Sequence, residues 1–189
     1  MRILFPASLI FTALAFSLVE SRLGSTGSDP DPETRPATRP APEWKNTSWL
    51  NADRPLSLPS LKGRVVLLNF WVFTCYNCTN TVPALKVIDR SYRDRGLTVI
   101  GIHTPEFPPY GGEHDVNNVA AALRKEGIEY ANAQDNDRAT WRLYGIRAWP
   151  SFVLIDKRGQ IRYESIGEFH VDDRTHRDWN RRIEALLAE

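Results

Sequence analysis

The sequence predicts an α/β sandwich on a mixed sheet, and three observations carry that expectation. Residues 64–71 and 97–103 are continuous apolar runs, suited to strands buried on both faces. Each is followed by a segment of helical periodicity, which sets up parallel strands joined by crossover helices. Residues 151–155 and 160–166 then flank a turn signal at Asp156-Lys157-Arg158-Gly159, which adds an antiparallel hairpin before a last helix. The 189 residues suit one domain with extensions, and no internal repeat is visible.

The first 23 residues read as a signal peptide or an N-terminal membrane anchor. Arg2 precedes an apolar stretch over residues 3–19, and polarity returns at Glu20-Ser21-Arg22. No A-x-A cleavage site is evident, so an uncleaved anchor stays open. No cysteine follows the stretch, which excludes an acyl anchor of the lipoprotein type. Residues 24–43 carry Pro30, Pro32, Pro36, Pro40 and Pro42 among small polar and charged residues. That composition predicts a disordered, extended linker. The folded domain is expected over residues 44–189.

Within it, Asp53-Arg54-Pro55 predicts a turn between short strands around Trp49-Leu50 and Leu56-Ser57-Leu58. The strand over 64–71 follows, and then a helix from about Cys75 to Arg93, on which Val82, Leu85, Ile88 and Tyr92 recur at helical spacing. Pro83 falls inside this helix and should kink it. Gly96 ends it. The second buried strand runs over 97–103, and residues 104–114 form a Pro- and Gly-rich loop. Asp115 can cap a helix with Val116, Val119 and Leu123 on its apolar face, stopped by Gly127. A brief strand is expected near 130–133. Asp137 can cap a helix carrying Trp141 and Tyr144, ending at Gly145. After the hairpin, the last helix carries Trp179, Ile183 and Leu186.

The two cysteines of the chain, Cys75 and Cys78, stand where the first buried strand gives way to its helix. A cysteine in the first turn feels the positive end of the helix dipole, and unpaired N–H groups there favour thiolate over thiol. A second cysteine three residues on can close a disulfide with it. Structural zinc needs about four ligands, yet there is no second cysteine pair, and His103, His114, His170 and His176 are scattered. A purely structural disulfide across three residues gains little, since stabilisation grows with loop length. Redox chemistry is the reading that the placement favours. Charges nearly balance, at a formal +1, and no Lys/Arg run points to nucleic acid.

Residues 44–189 resemble thioredoxin-fold proteins of the TlpA/ResA class, closest to the thioredoxin-like domain of DipZ-type proteins. Leu61-Lys62-Gly63-Arg64 running into Val65-Val66-Leu67-Leu68-Asn69-Phe70-Trp71 resembles the family's approach to its redox loop. Cys75-Tyr76-Asn77-Cys78 resembles the CxxC, Pro83 the proline of the active-site helix, and Gly145-Ile146-Arg147-Ala148-Trp149-Pro150 the stretch ending in a cis-proline. Ile100 through Phe107, Asp135-Asn136-Asp137 and Ile166-Gly167-Glu168 match the DipZ-type branch, and residues 115–133 resemble the TlpA-type central insertion. Asn69 departs from the carboxylate that many thioredoxins bury beneath the pair. Tyr76-Asn77 replaces a Pro-containing dipeptide, and Tyr130-Ala131 stands where Tyr-Pro is common.

The resemblance implies a thioredoxin-like three-layer sandwich and an extracytoplasmic thiol–disulfide oxidoreductase, periplasmic or secreted, reducing protein disulfides. Cys75 is the expected nucleophile, Cys78 the resolving thiol and Pro150 the cis-proline beside which substrate backbone pairs. Trp71, Tyr76, Asn77 and Trp149 are the expected substrate contacts, with Glu106 and His103 as candidate proton-transfer groups. No cofactor or metal is required. The expected partners are protein thiols and disulfides and an upstream redox protein, the chain acting as a monomer. Two other readings stay open: copper held by Cys75, Cys78 and His103, since thiolate and imidazole suit that ion, and a thiol peroxidase. The peroxidase would need a Pro and a Thr several residues before its cysteine, and only Thr74 is nearby. Asn46-Thr47-Ser48 forms a glycosylation sequon.

Overall fold

The computed structural model describes residues 35–106 and 111–189. The targeting segment expected over 1–23, the linker over 24–34 and residues 107–110 of the loop lie outside the described residues. Seven strands and four α-helices follow one another as β1 (Arg35–Pro40), β2 (Trp49–Leu50), β3 (Val65–Trp71), α1 (Tyr76–Tyr92), β4 (Leu97–His103), α2 (Val116–Glu126), β5 (Ala131–Gln134), α3 (Ala139–Tyr144), β6 (Ser151–Ile155), β7 (Gln160–Ile166) and α4 (Arg174–Ala188). Among the described residues no helix is long and apolar enough to cross a membrane.

The strands form one mixed sheet in the order β1-β7-β6-β3-β4-β5-β2. β3, β4 and β5 are parallel, while β6 runs antiparallel to β3 and β7 antiparallel to β6. Every residue of β3 is buried, as the apolar run over 64–71 requires of a central strand. Alternation sends Val65, Leu67 and Trp71 into a core shared with α1, α2 and α4. Val66, Leu68 and Phe70 face a second core closed by α3 and by Trp44 and Leu61. Helices therefore cover both faces, and the three-layer sandwich is the observed fold.

Cap chemistry sets the helix ends. Asp115 accepts the Asn117 N–H at 2.8 Å at the start of α2, and Gly127 ends it in the left-handed region at φ 62°. Asp173 caps α4 by accepting the His176 N–H at 2.7 Å. α1 runs unbroken through Pro83.

Four details depart from expectation. Residues 35–40 are a strand of the sheet, antiparallel to β7, so the linker expected over 24–43 gives way to fold there. Prolines are tolerated because β1 is an edge strand, where a missing N–H need not be paired. Residues 56–58 form no strand. Leu58 N–H is taken by the Glu43 carboxylate at 3.2 Å, Ser57 and Ser60 bond each other, and a 3-10 turn follows at Pro59–Leu61. Val116, on the first turn of α2, is exposed rather than part of the buried face formed by Val119 and Leu123. At α3 the capping falls mainly to buried Asp135, which accepts Thr140 N–H and Trp141 N–H at 2.9 Å each; the Asp137 carboxylate accepts Ala139 N–H at 3.1 Å.

Candidate active site

β3 delivers the chain to a short loop, and the loop turns straight into α1. Cys75 is the N-cap of α1, in extended backbone, and its Sγ accepts the Cys78 N–H at 3.2 Å. The first turn of α1 holds no acidic residue, and the positive end of the helix acts on this sulfur. Cys75 and Cys78 are joined in a disulfide, with Cα atoms 5.3 Å apart. The pair is asymmetric. Cys75 is half-buried at the surface, whereas Cys78 is only 2 % exposed, within the core beneath α1. Tyr76 and Asn77 between them are exposed, Tyr76 at 77 %.

Neighbouring segments pin the loop. Trp71 O accepts Thr104 N–H at 2.9 Å, continuing the β3–β4 ladder beyond the strands. His103 Nε2 accepts Phe73 N–H at 3.4 Å, and the His103 ring stacks on Phe73 and meets Trp71 edge-on. Thr74 Oγ1 donates to Glu113 Oε1, and Glu113 Oε2 accepts Glu106 N–H at 2.8 Å. Glu113 is fully buried.

These positions revise several expectations. Trp71 is buried at 1 % exposure and donates Nε1–H to Asn132 Oδ1 at 2.9 Å, so it supports the site from within and offers substrate no surface. Gly101 makes that bond possible, because a Cβ there would lie 1.9 Å from Asn132 Oδ1. His103 is fully buried, and burial lowers its pKa to about 3; its ring is neutral at ordinary pH and ill-suited to exchange protons with solvent. Glu106 is half-buried and reaches the site network through its backbone N–H. Asn69 is 2 % exposed, and its Oδ1 has no hydrogen-bond partner among the described residues.

Across the loop, the Trp149–Pro150 peptide is cis. Trp149 is half-buried and packs on Trp141 with ring centroids 4.3 Å apart, while the Arg138 guanidinium lies over both rings. Pro150 O accepts Gly167 N–H at 3.0 Å, and Asn80 Nδ2 in α1 donates to Glu168 at 3.3 Å. The segment 166–168 thus flanks both the proline and the start of α1.

Among the described residues no three His, Cys, Asp or Glu side chains are grouped to hold a metal, and Cys75 and Cys78 are bonded to each other. The sequon is engaged too. Asn46 Nδ2 donates to Gln134 O at 2.8 Å, and its Oδ1 accepts the Thr140 hydroxyl at 2.7 Å. Glu113 and Asn132 are the site residues that sequence reasoning missed. The only signal for Glu113 was Gly111-Gly112, both at positive φ, which lets the chain turn back towards the redox loop.

The AhpC/TSA family profile matches residues 37–164. DipZ of Mycobacterium tuberculosis is 44% identical over 131 residues, 68% of this chain and 18% of DipZ; the chain thus spans under a fifth of that relative. The thiol-disulfide oxidoreductase ResA of Bacillus anthracis is 26% identical over 163 residues, 85% of this chain and 88% of ResA. A thiol-disulfide isomerase from Corynebacterium glutamicum superposes with a TM-score of 0.67 at 26% identity, covering 79% of this chain and 97% of that one.

Proposed function

We propose the following of a chain that belongs to the AhpC/TSA family: it is a thiol–disulfide oxidoreductase that works outside the cytoplasm and reduces disulfides of other proteins. The observation that carries this reading is the Cys75–Cys78 pair at the start of α1, with one sulfur at the surface and one in the core. The resemblance to TlpA/ResA-like proteins supports it.

In the reduced protein, Cys75 thiolate attacks one sulfur of a partner disulfide. The partner's other sulfur leaves as a thiolate and takes up a proton, and Cys75 is held in a mixed disulfide. Cys78 then loses its proton and attacks Cys75 Sγ, which releases the second partner thiol and restores the Cys75–Cys78 disulfide. Cys75 suits the first role because the helix end and the Cys78 N–H stabilise its charge. Cys78 suits the second, since only a sulfur already beside Cys75 can reach it from the core. Tyr76, Asn77 and Trp149 flank the pair where a partner segment would lie. Pro150 presents no N–H there.

Reducing equivalents come from an upstream dithiol protein. The apolar N-terminal stretch supports export, with the N-terminus as either cleaved signal or anchor. The chain is proposed to act as a monomer, without cofactor or metal. Equilibration with glutathione or dithiothreitol tests the direction. A potential near thioredoxin's, roughly −270 mV, supports a reductant, while one near −120 mV marks an oxidant.

A further inference from the structure

Trp149 comes immediately before Pro150, yet no hydrogen bond fixes its ring, because its buried Nε1 has no partner among the described residues. The indole is held by stacking on Trp141, with ring centroids 4.3 Å apart, and by the Arg138 guanidinium. That group lies 4.9 Å from the Trp141 ring and 5.5 Å from the Trp149 ring. Arg138 itself sits at φ 56°, in the left-handed region that a residue with a Cβ seldom enters. Its N–H donates to Asp135 O at 2.9 Å and its C=O accepts Arg142 N–H at 3.1 Å, which pins this backbone at the head of α3. Among the described residues the guanidinium makes no ion pair and donates no hydrogen bond. Trp149 and Cys75 pack on the same core. The exposed charged side chains that flank Arg138 on this stretch are Asp137, Arg142 and Arg147, so cations prevail there.

We propose that Arg138 is a specificity-determining residue for protein disulfides. It holds Trp149 in place and offers its unengaged N–H donors to a carboxylate beside the cysteine of a partner segment lying on the cis-Pro150 loop. The inference rests on the dithiol–disulfide reading above. A guanidinium stacks through its face and donates hydrogen bonds in its own plane, so Arg138 can cover the two indoles and bind a carboxylate at once. An ammonium can do the two jobs only in part, since it is a point charge without that fork. The partner class that follows is a cysteine pair set in an acidic segment.

The full chain carrying Cys78→Ser tests this with short peptides. Their central cysteine is activated as a disulfide with thionitrobenzoate and is flanked on both sides by glutamate or on both sides by lysine; activated free cysteine is the third probe. Cys75 thiolate attacks the cysteine sulfur, a disulfide joins the two, and thionitrobenzoate leaves as a coloured thiolate that reports the rate. Intrinsic reactivities of the two peptides cancel when the same pair is compared across variants. The ratio of glutamate-peptide to lysine-peptide rates should fall about tenfold in Arg138→Gln, through the half-saturating concentration of the glutamate peptide rather than the limiting rate. Arg138→Lys should lose less of it, and added salt should shrink the ratio in the arginine protein.

An unchanged ratio in a folded Arg138→Gln protein overturns the proposal. So does equal slowing of both peptides and of free cysteine, which would place Arg138 behind the fold or the sulfur instead of the partner segment. Should Arg138→Gln fail to fold, the Arg138 Nε–H resonance decides in the Cys78→Ser protein. It should shift when the mixed disulfide forms with the glutamate peptide and stay in place with free cysteine, and a resonance unmoved by the peptide overturns the proposal. A Cys75 that displaces thionitrobenzoate from none of the probes overturns the redox reading itself, which separates the two failures.

Discussion

Cys75 Sγ accepts the backbone N–H of Cys78 at 3.2 Å, so one residue of the pair electrostatically prepares the other's sulfur. With Cys75 half-buried and Cys78 in the core, the two thiols of the reduced protein should differ in reactivity. Cys78→Ser, which keeps Cys75, should be alkylated by iodoacetamide at least about tenfold faster near pH 6 than Cys75→Ser. Equal rates for the two variants would remove the assignment of Cys75 as nucleophile.

Trapping gives the partner. Cys78→Ser lacks the sulfur that resolves the mixed disulfide, so it should accumulate covalent complexes through Cys75 that dissolve on adding reductant. Mass spectrometry of those complexes should return exported proteins with cysteine pairs. Recovery of none, with a wild-type protein that reduces no protein disulfide, would end the proposed function.

His103 makes the fold sensitive to acid. Burial holds its folded pKa at about 3, against an ordinary value of 6.5. Between these values the unfolded chain binds a proton that the folded chain does not. Its contribution is therefore intact above pH 6.5 and is lost as pH falls towards 3, at up to about 1.4 kcal/mol per pH unit. Urea unfolding of wild type and His103→Gln from about pH 7 to pH 4 checks the sign. The variant, which cannot protonate, should have the flatter dependence, and parallel curves would discard the assignment.

Gly101→Ala should destabilise by roughly 2–4 kcal/mol, through overpacking and loss of the Trp71–Asn132 hydrogen bond. Adding Asn132→Ala opens the space that the new methyl needs. The double variant should then be less destabilised than the sum of the single ones, and strict additivity in denaturant melts would show that the two positions do not communicate.

The elements that periodicity alone can specify were legible in the chain. β3 and β4 are apolar throughout because both faces are covered, and the 151–155 and 160–166 hairpin carries its own turn chemistry. The CxxC announced its helix start because local sequence determines an N-cap. What was not legible depends on pairings distant in sequence. Proline content argued against a strand at 35–40, and only the free edge of β7 makes one possible. Trp71 looked like a contact residue until Asn132, 61 positions away, claimed its indole N–H. Glu113 gave no signal of its own, since a glutamate after two glycines ordinarily faces water.

Strand β1 has a consequence at the margin of the molecule. It occupies the rim of β7, and the opposite rim of the sheet ends in β2, only two residues long. With Pro36 and Pro40 on the outermost strand, neither boundary presents a long row of unmet backbone donors and acceptors to a neighbouring chain. Cutting the chain just after Pro40 would strip that guard and leave seven residues of β7 as a template for intermolecular strand addition. The proline-rich stretch that reads as a spacer is therefore also the feature that keeps this sheet from growing.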